Sequence, residues 1–284
     1  MGRLLVIATP IGNLQDASPR SLAAMRSCSK LLCEDTRHTL KLLRHFGIEV
    51  PLESFHEHNE DARVEKIVAE LLGGATIGMV SDAGTPLLSD PGFPLVREAR
   101  RRGIVIEPIP GPFAGAAALS ASGIAPLPFA FFGFPPHRQG ERREFYRGVA
   151  QHRMTAIVYE SPQRIVASLE DALEALGDVD ATVGRELTKM HEELVHGTLS
   201  EVIAELSSRA SIAGEVTIVL AAAVTEERKL PTPAELRAEL ERLRGEGMRR
   251  NDALKALAGA WRVGKNDLYR LLVDEEEGSE PPGE

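Results

Sequence analysis

Four short apolar runs, with longer amphipathic stretches between them, constrain the fold more than any other feature of this chain. Residues 3–9, 30–34, 75–80 and 104–106 read as buried strands, too brief to be core helices. Between them lie helix patterns with clear ends. Ser18 and Pro19 supply an N-cap and a first-turn proline for a helix through about Ser27. A second helix runs from Thr36 to Phe46 and stops at Gly47. In a third, capped by Asn59, Val64, Ile67, Val68, Leu71 and Leu72 share one face. A fourth extends to about Arg102. Alternation of this kind predicts a mainly parallel sheet covered on both faces.

Open α/β sheets place ligands outside the carboxyl ends of their strands. Three such ends carry polar, turn-forming clusters here: 9–16, 34–37 and 81–92. The last reads SDAGTPLLSDPG, dense in small residues that let backbone approach a ligand and in prolines that limit its motion. Taken singly, each cluster is equally a tight turn or a helix cap. Jointly they predict a cleft, closed from the second half by 159–162 and 185–189.

The second half is α/β again, with strand runs at 129–134, 154–159, 181–185 and 215–222 and a possible hairpin arm at 192–198. After Pro231 the texture is purely helical, in segments 234–244, 249–261 and 265–273. From Arg242 to Leu272 eight basic residues face three acidic ones, a local charge of +5 in a chain whose net charge is −9. Two short helices so charged resemble a helix-turn-helix, although a solvated face explains the charge as well. Six acidic residues crowd the last eleven, a composition that predicts a disordered tail. The predicted divisions are 1–111, 112–230, 231–273 and 274–284.

Several functions are excluded. No G-x-G-x-x-G follows the first strand, and neither a P-loop nor a G-x-S-x-G is present. The spacing of His56 and His58 matches no common metal-ligand set, so no metal is expected. Cys28 and Cys33 lack C-x-x-C spacing and are expected to be reduced and partly buried. The uncharged stretch 108–137 is long enough to span a membrane, but six prolines from Pro110 to Pro136 break it. A strand at the very start leaves no secretory signal, so a cytoplasmic location is expected.

In their order and spacing, 9–16, 34–37, 81–92, 110–112, 133–136, 159–162 and 185–189 resemble one family. It is the small-subunit ribosomal RNA methyltransferase I family, in the tetrapyrrole-methylase (class III) superfamily. The resemblance spans residues 3 to about 272. It implies two α/β domains of the tetrapyrrole-methylase type with a cofactor cleft between them, plus a small helical C-terminal segment. It also implies S-adenosylmethionine as cofactor, held without a G-x-G-x-x-G. The implied reaction methylates the ribose 2′-oxygen of a decoding-centre cytidine of 16S rRNA in the small ribosomal subunit. A cytoplasmic homodimer is the implied assembly. By analogy Pro10, Asp82, Ala83, Gly84 and Thr85 contact the cofactor, Ser120 and Ala121 line the cleft, and Tyr159 and Leu187 close it. Basic residues that the family carries at the positions of Gly140 and Ala213 are missing here.

A ribose hydroxyl is a poor nucleophile and needs a base or hydrogen-bond acceptor. Asp35, His56, His58 and Glu186 stand at the expected mouth. Asp35 either acts near the hydroxyl, with Arg37 orienting the RNA, or pairs with Arg37 to fix the loop. Lys189 holds phosphate or pairs with Glu186. The remaining expected RNA contacts are Arg138, Arg142 and Arg143, with Arg249, Arg250 and Lys265 from the terminal helices. Two other functions stay open: a small-molecule methyltransferase of the tetrapyrrole type, and a nucleic-acid-binding regulator with a ligand-sensing α/β body.

Overall fold

Successive residues of a strand point to opposite faces, and in β1 (Arg3–Ile7) both faces are apolar. Leu4 enters one core while Leu5 and Ile7 enter another. In β2 (Lys30–Cys33), Leu32 joins the first of these cores and Leu31 and Cys33 the second. Strands of this type belong inside a sheet covered on both sides. With β3 (Leu52–Ser54), β4 (Thr76–Val80) and β5 (Val105–Ile109), they form a five-stranded parallel sheet in the order β3-β2-β4-β1-β5. Residues from α1 (Pro19–Ser27) and α2 (Thr36–His45) fill the core on one face. Those of α3 (Glu60–Leu72) and α4 (Phe93–Arg101) fill the other. Cys28 and Cys33 are buried free thiols, and burial pushes Cys28 up to about 11.

This computed structural model describes residues 2–56, 60–223 and 233–261. The chain changes sheet between Ile109 and α5 (Ala114–Ala121), which packs on the second sheet. The second sheet comprises β6 (Phe129–Phe131), β7 (Thr155–Glu160), β8 (Asp180–Arg185), β9 (Glu193–Thr198) and β10 (Val216–Leu220). Its order is β6-β7-β10-β8-β9, and only the β6–β7 pair is parallel. Residues 192–198 do supply a hairpin arm, because β9 returns antiparallel along β8. Ala118 and Leu119 of α5 pack on Ile157 and Val219 at one face. The opposite face is covered by α6 (Gln139–His152), α7 (Ile165–Leu176) and α8 (Leu199–Ser207), whose Thr198–Glu201 capping box fixes its start.

Both sheets belong to one compact unit, and α9 (Pro233–Gly245) with α10 (Arg250–Trp261) to another. Within that second unit Leu236, Leu254 and Leu257 pack with Leu240 and Leu243. The expected third helix, with Lys265, and the acidic tail lie outside the described residues, as do Asn59 and His58. Among the described residues no helix is long and apolar enough to cross a membrane.

Candidate active site

The strand-end clusters do meet. Thr9 N–H donates to Gly84 O at 2.9 Å and Gly84 N–H to Thr9 O at 3.1 Å, joining the loops after β1 and β4. Gly84 has φ +83, and a Cβ there would lie 3.2 Å from Ile11 Cγ2 and 3.4 Å from Pro112 O. Ser81 Oγ donates to Gly84 O at 2.9 Å, and Thr85 Oγ1 to Pro112 O at 3.0 Å. At the far end of the loop Gly92 N–H donates to Glu60 Oε2 at 2.7 Å. Between these anchors Leu87 and Ser89 sit at φ 76 and 69, a left-handed geometry unusual for side chains and typical of ligand loops.

Behind the loop lies a cavity of about 400 Å³, within the roughly 300–1,000 Å³ of small-molecule sites. The 82–85 and 88–90 segments form one wall. Tyr159, Glu160, Leu187 and Glu215 form the facing one. Phe113 and Phe134 add aromatic surface beside the Tyr159 ring, at centroid distances of 6.5 and 5.5 Å. Among the described residues the lining holds four carboxylates (Asp82, Asp90, Glu160 and Glu215) and no basic residue. Burial, with the charges of Glu34 and Asp82 nearby, pushes Asp90 up to about 7. Glu160 is 2% exposed, and its buried Oε2 has no hydrogen-bond partner among the described residues. A second cavity, about 320 Å³, shares Ile11, Asp82, Ala83 and Glu215 with the first and adds Pro10, His38, Thr39 and Lys41.

Residues 3–203 match the tetrapyrrole (corrin/porphyrin) methylases. A ribosomal RNA small subunit methyltransferase I from Synechocystis is 41% identical over 96% of this chain and 98% of its own length. One from Xylella fastidiosa is 44% identical over 81% of this chain and 87% of its own. This chain belongs to the ribosomal RNA small subunit methyltransferase I family. Its fold is that of the tetrapyrrole methylases. A crystal structure of diphthine synthase superposes with a TM-score of 0.60 at 14% identity, covering 78% of this chain and 90% of that one.

Set against the positions implied for a methyltransferase of this family, the geometry sorts the residues. Asp82, Ala83, Gly84, Thr85, Tyr159 and Leu187 all line the first cavity, and Pro10 lines the second. Ser120 and Ala121 border neither. They are exposed on the last turn of α5, where Ser120 Oγ donates to Ala117 O at 2.8 Å.

The expected catalytic carboxylates are committed elsewhere. Asp35 N-caps α2 and takes both Arg37 Nε and Nη2, at 3.1 and 2.8 Å. That hydrogen-bonded pairing lowers its carboxyl to about 2, leaving a weak base. The pair ties Arg37 to the start of α2, with its side chain 88% exposed. Glu186 accepts from Lys189 Nζ at 2.8 Å and from Glu215 N–H at 2.9 Å, and the lysine holds it below the usual carboxylate range. Gly214 is what admits this carboxyl, since a Cβ there would lie 2.4 Å from Glu186 Cγ. Lys189 is likewise taken up by Glu186 and by Glu215, at 3.1 Å.

Of the basic residues assigned to RNA, Arg142 is a correction. It is 5% exposed and donates through Nε to Asp171 at 2.7 Å, inside the α6–α7 packing. Arg143 is half committed, to Asp171 at 3.0 Å and Glu174 at 3.1 Å. Arg138, Arg249 and Arg250 are exposed. Asp90, Glu160, Glu215, His38 and Lys41 went unnamed as site residues. Asp90 and Glu160 sit inside motifs already singled out, whereas nothing local marks Glu215.

Asp35→Asn keeps an N-cap oxygen, so methyl transfer at saturating donor and RNA is expected within about threefold of wild type. Loss of a general base costs roughly 10²–10⁴-fold. A decrease of that size in single-turnover transfer would return Asp35 to a catalytic role.

Proposed function

We propose that this chain is an S-adenosylmethionine-dependent methyltransferase of 16S rRNA, acting on the ribose 2′-oxygen of a decoding-centre cytidine in the small ribosomal subunit. We place it in the cytoplasm as a homodimer. The observation that carries the reading is the first cavity, with aromatic walls and, among the described residues, four carboxylates and no basic residue. An adenosyl group needs apolar and aromatic surface, while a sulfonium and an ammonium need negative charge. Family membership supplies the RNA substrate class.

When bound, S-adenosylmethionine supplies a methyl group already activated by a positive sulfur. The protein's task is then alignment, which can account for much of the rate. The 82–85 backbone is held rigid by the Thr9–Gly84 pair and by Thr85 on Pro112, and would seat the donor. The second cavity opens on the same Asp82 and would take the acceptor nucleotide, with His38 and Lys41 toward its phosphates. Asp82 borders both cavities, and its Oδ1 accepts Asp35 N–H at 3.2 Å. It stands where a hydroxyl entering from the second cavity would give up its proton as the new bond forms. Arg138, Arg249 and Arg250 supply exposed positive charge for phosphate, which adds salt-dependent affinity without sequence choice. Specificity then comes from the shape of the ribosomal substrate.

The test is incubation with methyl-labelled S-adenosylmethionine and unmethylated 30S subunits, followed by alkaline digestion of the 16S rRNA. Label is expected in one alkali-resistant dinucleotide containing 2′-O-methylcytidine. Label on a base, or only on protein, would overturn the 2′-oxygen assignment.

A further inference from the structure

The four carboxylates of the donor cavity are not equivalent. Glu215 pairs with Lys189 at 3.1 Å and its side chain is 72% exposed. Glu160 Oε1 accepts from Ser161 N–H at 2.7 Å and pairs with Arg164. Asp82 Oδ1 holds the Asp35 N–H. Among the described residues no basic side chain pairs with Asp90. Among the described residues, Glu34 from the end of β2, Asp82 from the end of β4 and Tyr159 from β7 interact with it electrostatically, and Glu160 and Glu215 line the same cavity. All are acidic or neutral. Asp90 is half-buried, and the backbone around it is fixed by Ser89 at φ 69 and by the Gly92–Glu60 hydrogen bond. Burial and two like charges keep it protonated to about pH 7.

We infer that Asp90 is the counter-charge by which this cavity prefers a sulfonium methyl donor to its neutral thioether product. The inference rests on the methyl-donor function proposed above. A cation placed in the cavity favours the ionised carboxylate, so donor binding releases Asp90's proton. When the methyl leaves, its bonding electron pair stays on sulfur and the sulfur becomes neutral. The carboxylate then takes a proton back from solvent, and the site loses its hold on the product. Donor and product share the adenosine, the ammonium and the carboxylate, so comparing them isolates the charge on sulfur.

Calorimetric titration of the full chain with S-adenosylmethionine and with S-adenosylhomocysteine, from pH 5.5 to 7.5, tests this. Below the carboxyl's pKa each pH unit changes donor affinity by up to about tenfold. Donor binding is therefore expected to tighten at least ~10-fold across the range, with proton release seen as a dependence on buffer ionisation enthalpy. Product affinity should move less than about twofold. Asp90→Asn should flatten the donor profile and leave product affinity near that of wild type. Equal pH dependence for the two ligands would overturn the inference, because Asp90 would then answer to the ammonium they share. So would an unchanged donor profile in Asp90→Asn. If neither ligand binds at any pH, the methyl-donor function itself fails and takes the inference with it.

Discussion

Asp171→Asn is expected to lower the unfolding free energy by about 3–5 kcal/mol, the usual cost of removing one partner from a buried ion pair. Asp171 is 1% exposed on α7 and holds three donors from α6. Arg142 Nε lies at 2.7 Å, Arg143 Nε at 3.0 Å and Gln139 Nε2 at 3.4 Å. Burial pushes its carboxyl up, but Arg143 and Arg142 together bring it below the ordinary 3.8. The asparagine keeps the shape and loses the charge. It leaves the Arg142 guanidinium buried opposite an amide that cannot neutralise it. Urea unfolding at pH 7 measures the loss. Replacing both partners, as Arg142→Met with Asp171→Leu, should recover most of it, since a matched apolar pair leaves no buried charge behind. A cost below about 1 kcal/mol for Asp171→Asn alone would show that Arg142 reaches solvent, and would return it to the residues open to RNA.

That pair also marks where sequence reading reaches its limit. Arg142 is grouped by sequence with Arg138 and Arg143 as an RNA contact, and nothing within 137–153 shows that an aspartate on the next helix will bury it. Local signals served better. Ser18 and Asp35 are N-caps whose oxygens accept from backbone N–H groups two or three residues on. Leu4–Leu5 and Leu31–Leu32 announced a sheet apolar on both faces, because neighbouring side chains in a strand must part. Strand direction was not legible in the second half. The 181–185 and 215–222 runs are equally apolar whether parallel or antiparallel, and only tertiary pairing decides. The short β3 escaped notice because its sequence, Leu-Glu-Ser, carries no strand signal.

The same division holds at the site. The loop after β4 was visible from its glycines and prolines, yet its two aspartates could not be told apart by sequence. Asp82 borders both cavities, while Asp90 is half-buried at the loop's far end against Glu34. Asp35 and Glu186 drew attention as carboxylates at strand ends. Their partners Arg37 and Lys189 are each three residues away or closer, so the pairing was equally readable. Proximity in sequence left the choice between catalytic and structural roles open, and the ion pairs with Arg37 and Lys189 favour the structural one.

Without methyl donor, Asp90→Asn should be more stable than wild type at pH 8 by about 2 kcal/mol, and no more stable below about pH 4. The sign follows from which state holds the proton. In the unfolded chain the carboxyl titrates at its ordinary 3.8, and in the folded protein at about 7. Between those values the native state binds the extra proton, so wild-type stability falls as pH rises through the window. Above pH 7 the folded protein carries an ionised carboxylate beside Glu34 and Asp82. Three units at about 1.4 kcal/mol each set a ceiling near ~4 kcal/mol. Asp90 is only part-buried, and solvent screening brings this to roughly half. Asparagine is neutral throughout and avoids the cost. Urea unfolding of both proteins at pH 4, 6.5 and 8 reads the gap directly, and a constant gap would mean that Asp90 carries no such penalty. Saturating S-adenosylmethionine should then narrow the gap at pH 8, since only wild type adds the Asp90 charge to the carboxylates that face the sulfonium. A site shaped for a cation is destabilising while empty, and the substitution that relieves it is the one expected to weaken the donor's hold.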